Sequence, residues 1–325
     1  MINIFYEPGY AKRRKPFFKL RFSNSQFFNY LIEICYIFSL PVPKNMIKSG
    51  PLKLMNNVVR AFRNDSSISW NKLKYHNSYI VQFDKFGEDI LKTIIHEQNQ
   101  NSKVIVGPLF TVEQLNKLIK YVEKYSFINI LTPSESAKKA LVNDLNINLD
   151  EKKISVIPIG VESMKNIKNK KNKRNKDCLI YFKNRKQSEL AQVTNFLDIR
   201  KINYKIFKYG EYQNKKLQLY SKTSCFGILL CGTESQGFAV QEMMLQNLPL
   251  YVWDKKTGYL EENKINGTSV SLWSSLCGVK VESFIEFEEN FYNFFTNLNQ
   301  FQPQKLVLEK LTYEKFKEKL LFSFK

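Results

Sequence analysis

Residues 231–254 read CGTESQGFAVQEMMLQNLPLYVWD. Gly232 and Thr233 follow the apolar run 225–230, so the segment opens as a loop just past a strand end, and Glu234 sits in that loop. Gly237 lets the backbone approach a ligand closely. Residues 238–246 are rich in good helix formers, Ala, Gln, Glu, Met and Leu. Asn247 ends this helix, and Pro249 blocks its return. Residues 250–253, LYVW, are short, apolar and suited to a buried parallel strand.

A loop–helix junction behind a strand directs unsatisfied N–H groups and the positive end of the helix dipole outward, which suits a phosphate. Glu234, ahead of the helix, can reach a neutral hydroxylated group. Glu242, inside it, can accept from a ribose diol, as acidic residues do in dinucleotide sites. Two carboxylates at a phosphate-binding end repel phosphate unless each has hydroxyl donors to hold. That pattern points to a nucleotide sugar.

The Glu-x7-Glu spacing, followed by a helix and a Pro-apolar-apolar strand, resembles the signature of retaining glycosyltransferases of the GT-B fold, broadly family 4. The resemblance implies an α/β fold of two doubly wound Rossmann-like domains facing across a cleft. It implies Glu234 on the donor sugar, Glu242 on the ribose, and the backbone of Gly237 and Phe238 on the diphosphate. The family also places an Arg and a Lys after the first strand of its second domain. Here that strand, 178–182, is followed by Lys183, Asn184, Arg185 and Lys186. Arg185 is the first choice, because a guanidinium grips phosphate oxygens in pairs; Lys183 stands behind it. The family's usual downstream Lys is not matched, since position 190 is Leu. Tyr209 falls where the family lines its base pocket. Gly50, in an opening strand–loop–helix unit, falls where the family's first Gly loop lies near the donor phosphates; it also reads as a turn glycine. Many members carry a His near the sugar. The corresponding strand ends here offer Asp84–Lys85 and residues 107–110 instead, and His96 reads as a surface residue. The resemblance covers residues 103–254 well and the rest loosely.

The chain has 325 residues, long enough for two domains with their own cores. Hydrophobic residues at 43% and aromatics at 14% argue against disorder. A net charge of +20 favours anionic partners: nucleotide sugars, acidic membrane surfaces or nucleic acids. Abundant Lys and Asn throughout also fit compositional drift. Five cysteines (Cys35, Cys178, Cys225, Cys231 and Cys277) form no C-x-x-C pattern and read as reduced residues of a cytosolic protein. With two histidines, His76 and His96, a zinc site or a Cys–His pair is not expected. The start of the chain lacks a signal-peptide pattern, and the apolar run 27–40 is too short to span a bilayer.

Strand, loop and helix signals alternate through residues 1–162, which we read as a Rossmann-like acceptor-side domain. Within it, residues 11–21 are basic with Phe17 and Phe18 interleaved, and read as a solvated loop or a membrane-surface contact. A strand is expected at 34–42 and a helix from Gly50 through Phe62. Thr111 reads as an N-cap, with Phe110 able to staple onto Leu115. Residues 163–176 are polar and basic, and read as a solvated connector rather than a nucleic-acid tail, for want of aromatics to stack bases. Residues 177–303 form the expected nucleotide-sugar domain. Residues 304–325 carry an amphipathic helix at 306–322, expected to cross back onto the first domain as in GT-B proteins.

The leading function is thus a metal-independent, hexosyltransferase-type transfer from a nucleoside-diphosphate sugar to a glycan or lipid-linked acceptor, with retention. No cofactor is expected beyond the donor substrate. The expected location is cytoplasmic, with peripheral contact at the membrane face left open; no nucleic-acid partner is expected. A GT-B epimerase would need further acid/base groups. A non-catalytic basic protein on nucleic acid or anionic membrane fits the charge but leaves the Glu234–Glu242 context unexplained.

Overall fold

The structure, a computed structural model, describes residues 1–6, 50–73, 76–97, 102–109, 111–145, 149–162, 174 and 177–325. The basic segment 11–21, the apolar run 27–40, the strand expected at 34–42, Phe110 and all of the 163–176 connector except Arg174 lie outside these residues. In chain order the first elements are β1 (Ile2–Phe5), α1 (Gly50–Phe62), β2 (Ile68–Trp70), β3 (Ser78–Ile80), α2 (Lys85–Glu97), β4 (Val104–Val106), α3 (Val112–Lys124) and β5 (Ile128–Thr132). There follow α4 (Glu135–Lys139), which runs on into a wide turn at Ala140–Asp144, and β6 (Ile154–Val156). The second half has β7 (Cys178–Lys183), α5 (Gln187–Ile199), β8 (Tyr204–Lys208), α6 (Asn214–Thr223), β9 (Phe226–Cys231), α7 (Phe238–Leu245) and β10 (Leu250–Trp253). It ends with β11 (Thr257–Leu260), β12 (Asn263–Asn266), β13 (Gly278–Val281), α8 (Phe284–Thr296), α9 (Pro303–Lys310) and α10 (Tyr313–Phe322).

The chain divides into two compact units, Met1–Thr132 with Leu149–Ile159 and Lys317–Lys325, and Pro133–Asn148 with Gly160–Phe316. The first holds a parallel sheet in the order β2-β1-β3-β4-β5-β6. Its strands β1, β3, β4 and β5 are buried along their whole length, as expected of a sheet covered on both faces. Around it α1 buries Leu54, Met55, Val58 and Phe62, and α3 buries Leu115, Leu118 and Val122 at helical spacing. Thr111 caps α3, its hydroxyl accepting from the Gln114 N–H at 3.1 Å, as expected from the sequence.

The second unit holds a parallel sheet in the order β13-β10-β9-β7-β8. Alternation along its strands feeds two cores. Leu179, Tyr181, Leu229, Cys231, Leu250 and Val252 join Val240, Met243, Met244 and Leu306 in one. Cys178, Ile180, Ile228, Leu230, Tyr251 and Trp253 join Phe196, Phe287, Phe291 and Phe294 in the other. Both sheets share one winding: the chain lays a second strand on one side of the first, then returns to the other side. That reversal puts a topological switch point between β1 and β3, and between β7 and β9. In such sheets, ligands bind beyond the carboxyl ends of the strands at that point.

Two expectations change. The helix read across 306–322 is two helices, because Leu311 and Thr312 leave the helical path. Val161 donates its N–H to the Leu311 carbonyl at 2.7 Å and bridges to Thr312. The connector is also not wholly solvated. Arg174 is half-buried, and its guanidinium donates to the Gln246 and Asn247 carbonyls at 2.7 and 3.0 Å and to those of Ser221 (3.2 Å) and Ser224 (2.5 Å). It thereby satisfies orphan carbonyls at the ends of α6 and α7. Among the described residues, no helix is long and apolar enough to cross a membrane.

Candidate functional site

The carboxyl ends of β7 and β9 flank the switch point of the second unit, and the loops leaving them pack tightly. The Gly232 N–H donates to the Lys183 carbonyl at 2.8 Å, and a Cβ on Gly232 would stand 3.1 Å from the Asn184 carbonyl oxygen. From these ends Lys183 and Glu234 meet, Nζ to Oε1 at 2.6 Å, with side chains 19% and 10% exposed. The ammonium also lies 4.5 Å from the centre of the Tyr209 ring, which follows β8. Burial alone would lower the Lys183 ammonium; the Glu234 carboxylate outweighs it and holds the group above its ordinary value.

Gly237 stands at the N-cap of α7 with φ 73° and ψ 59°, a left-handed conformation that a glycine adopts without strain. An added Cβ would meet nothing closer than 3.6 Å, so the backbone angle, not crowding, calls for glycine here. The N–H groups of Phe238 and its successors form the leading turn of α7. This helix buries Val240, Gln241, Met243, Met244 and Leu245, and Asn247 beyond its end has φ 57°, as its role as a terminator predicts. Glu242 is therefore a carboxylate on a helix that is otherwise largely buried, with its Oε2 shielded from solvent. Its charge adds to the effect of burial, the larger cause, in pushing the Tyr212 hydroxyl up to about 12. Tyr212 donates to the Tyr181 hydroxyl at 3.4 Å and stacks edge-on against that ring.

Arg185 departs from its expected role. Its side chain is 2% exposed, and all three of its nitrogens donate within the unit. Nε and Nη2 donate to the two oxygens of Glu189 at 2.7 and 2.9 Å, while Nη1 donates to the carbonyls of Trp253 at 2.7 Å and Cys231 at 3.3 Å. The guanidinium lies 4.9 Å from the Trp253 ring centre. It ties the ends of β7, β9 and β10 together. The partner was visible in the sequence: Glu189 lies four residues on, in the first turn of α5.

The structure therefore gathers Lys183, Glu234, Tyr209, Gly237, Phe238 and Glu242 in the second unit; Gly50 opens α1 in the first. Sequence reasoning missed Asp254, 3% exposed at the end of β10. Its Oδ1 accepts from Ser269 N at 2.7 Å, Lys255 N at 3.1 Å and Thr268 Oγ1 at 2.9 Å, and Lys280 Nζ lies 3.4 Å from Oδ2. Burial raises the Asp254 carboxyl, but these donors and Lys280 outweigh it and hold it below its usual range. An acid directly after a strand that ends in Trp was the available signal. Among the described residues, no group of three or more His, Cys, Asp and Glu is placed to hold a metal ion.

No protein-family model and no curated protein matches the chain. Solved structures do resemble it. AviGT4, a glycosyltransferase involved in avilamycin A biosynthesis, aligns over 99% of this chain and 96% of its own, with a TM-score of 0.51 and 9% identity. Sucrose-phosphate synthase from Thermosynechococcus elongatus aligns over 99% of this chain and 97% of its own at 9% identity, with a TM-score of 0.47. S. aureus TarM aligns over 76% of this chain at 13% identity with a TM-score of 0.45, and the match spans 55% of the TarM chain. At such identities the likeness is one of fold, and it rests on AviGT4: two parallel α/β sheets of the GT-B glycosyltransferase type.

Proposed function

We propose that the chain is a retaining, family-4-like glycosyltransferase that moves a sugar from a nucleoside-diphosphate donor to a glycan or lipid-linked acceptor without a metal ion, in the cytoplasm or at its membrane face. One observation carries the reading: the Lys183–Glu234 pair at the switch-point ends of β7 and β9, one turn ahead of the helix that carries Glu242. In this reading the amides of Gly237 and Phe238 and the Lys183 ammonium take the diphosphate. Their charge stabilises it as it departs from the anomeric carbon. Glu242 accepts from the ribose hydroxyls, and Tyr209 lines the base. Glu234 orients the sugar through its hydroxyls while the acceptor hydroxyl oxygen bonds the anomeric carbon on the face the diphosphate leaves, its proton passing to the departing diphosphate.

Lys183 and Glu234 satisfy each other. An arriving donor exchanges that bond for two, phosphate on Lys183 and sugar hydroxyl on Glu234. Each of the two groups therefore keeps a hydrogen-bond partner when the donor arrives. Thermal-shift titration with UDP, GDP and ADP tests the proposal. One of the three stabilises the protein, and Glu242→Ala abolishes that shift. Stabilisation by single-stranded DNA with none from any nucleotide would point to the non-catalytic basic protein instead. Turnover of the matching nucleotide sugar in the presence of a chelator tests metal independence, and the anomeric configuration of the product tests retention.

A further inference from the structure

The hairpin formed by β11 and β12 leaves the sheet after Asp254 and returns before Thr268, and nothing in the reading above uses it. Two glycines stand at its base. Gly258 pairs with Ile265 across the hairpin, and the Gly267 N–H donates to the Lys256 carbonyl at 2.8 Å. Neither has a positive φ, so neither is required by its backbone angle. What both positions exclude is a side chain against Thr233. A Cβ on Gly258 would fall 2.1 Å from Thr233 Oγ1, and one on Gly267 would fall 2.8 Å from Thr233 Cγ2. Thr233 is thus keyed between two bare stretches of hairpin backbone.

Thr233 directly precedes Glu234, and the lacing continues beyond it. The Glu234 N–H donates to the Thr268 carbonyl at 2.9 Å. The Ser269 hydroxyl donates to the Cys231 carbonyl at 2.8 Å, and the Ser271 hydroxyl to the Gln236 carbonyl at 2.9 Å. Asp254 joins the hairpin's two roots, accepting from Lys255 on one side and from Thr268 and Ser269 on the other. Besides its contacts with Lys183, the loop is thus held by this segment at four residues, Cys231, Thr233, Glu234 and Gln236.

We propose that the β11–β12 hairpin is a positioning clamp for Glu234, with Thr233, Gly258 and Gly267 as its positioning residues. The clamp sets where the carboxylate stands and therefore governs turnover more than nucleotide affinity. In its catalytic consequence it rests on the reading of Glu234 as the sugar-orienting acid; its mechanical consequence does not.

The test is Gly258→Ala, alone and combined with Thr233→Ala, which removes the hydroxyl that the new methyl would strike. Gly258→Ala lowers kcat by about a hundredfold, the cost of roughly an ångström of misplacement. The nucleoside diphosphate Kd moves by less than about tenfold, because the Glu234 charge is shifted rather than removed and Glu242 and the leading end of α7 are untouched. The double variant regains the activity of Thr233→Ala alone. Hydrogen exchange supplies the arm that needs no activity: Gly258→Ala speeds exchange of the Glu234 amide, and the double variant restores its protection. A double variant as impaired as Gly258→Ala, or an amide whose protection does not change, overturns the clamp. If the wild-type protein binds no nucleoside diphosphate, the functional reading fails, while the exchange experiment still decides the clamp.

Discussion

Lys183 has its ordinary positive charge reinforced by a partner that the proposed reaction must take away. A lysine whose value is raised on folding stabilises the protein fully below its ordinary value of 10.5, and this contribution is lost only as pH climbs through the higher folded value. Nucleotide affinity should therefore stay level through the neutral and mildly alkaline range. Glu234→Gln frees the ammonium and removes a negative charge from beside the diphosphate. Calorimetry should find the nucleoside diphosphate bound about tenfold tighter, equivalent to about 1.4 kcal/mol, while sugar transfer is lost. The same variant leaves Lys183 buried without its counter-charge, so its affinity should begin to fall at lower pH than that of the wild type. Unchanged or weaker binding would show that the pair does not restrain the lysine. At this scale the sequence was informative where spacing carried the chemistry: Glu234, Gly237 and Glu242 occupy the loop, cap and helix that their order implies. At Arg185 the resemblance named the diphosphate, whereas the guanidinium holds Glu189 and the carbonyls of Cys231 and Trp253, the last two far away in the chain.

Helix α8 shows how much one element can fix. Phe287, Phe291 and Phe294 recur at helical spacing and are buried, Phe291 at 4% exposure. Phe291 meets Phe196, Phe226 and Tyr251 edge-on at 4.9, 5.8 and 5.5 Å between ring centres. Phe291→Ala should lower the unfolding free energy by about 3–5 kcal/mol in denaturant melts, as lost aromatic burial and a residual cavity combine. It should do so without selective loss of nucleotide binding, since none of these rings belongs to the proposed site. Elements like this were legible because a period of 3.6 residues is written in the side chains. The β11–β12 hairpin was not. Its residues, TGYLEENKIN, are mostly exposed and show no buried alternating face, so no local signal separates them from loop. Strand β2, Ile-Ser-Trp, has no continuous apolar run to mark it. The break at Leu311 was hidden because it is set by pairing with Val161, a contact no local window contains.

Over the whole molecule, a chain of +20 charge still commits particular lysines to particular acids. Lys317, near the end of the chain, pairs with Asp65 in the first unit. Its hydrogen bond, together with that from the Ser67 hydroxyl, holds the Asp65 carboxyl down to about 2. A depressed carboxyl contributes stability that is present above 3.8 and fades as pH falls through the folded value. Lys317→Ala should therefore destabilise the protein near neutrality, and the gap from the wild type should close as acid protonates Asp65. Equilibrium unfolding of both forms across that range measures the gap; one that stays constant with pH would mean the lysine matters for packing rather than charge. The two-sheet architecture was legible at this scale from the alternation of strand and helix signals, while the allotment of residues 133–148 to the second unit was not.

The division of the chain between units bears on how the protein is made. The first unit is assembled from three separate lengths of polypeptide, the last of which is residues 317–325. During translation these emerge after every other residue described, so the unit begun first is finished last, and β1 through β6 must wait for the partner of Asp65 until the second sheet has already left the ribosome.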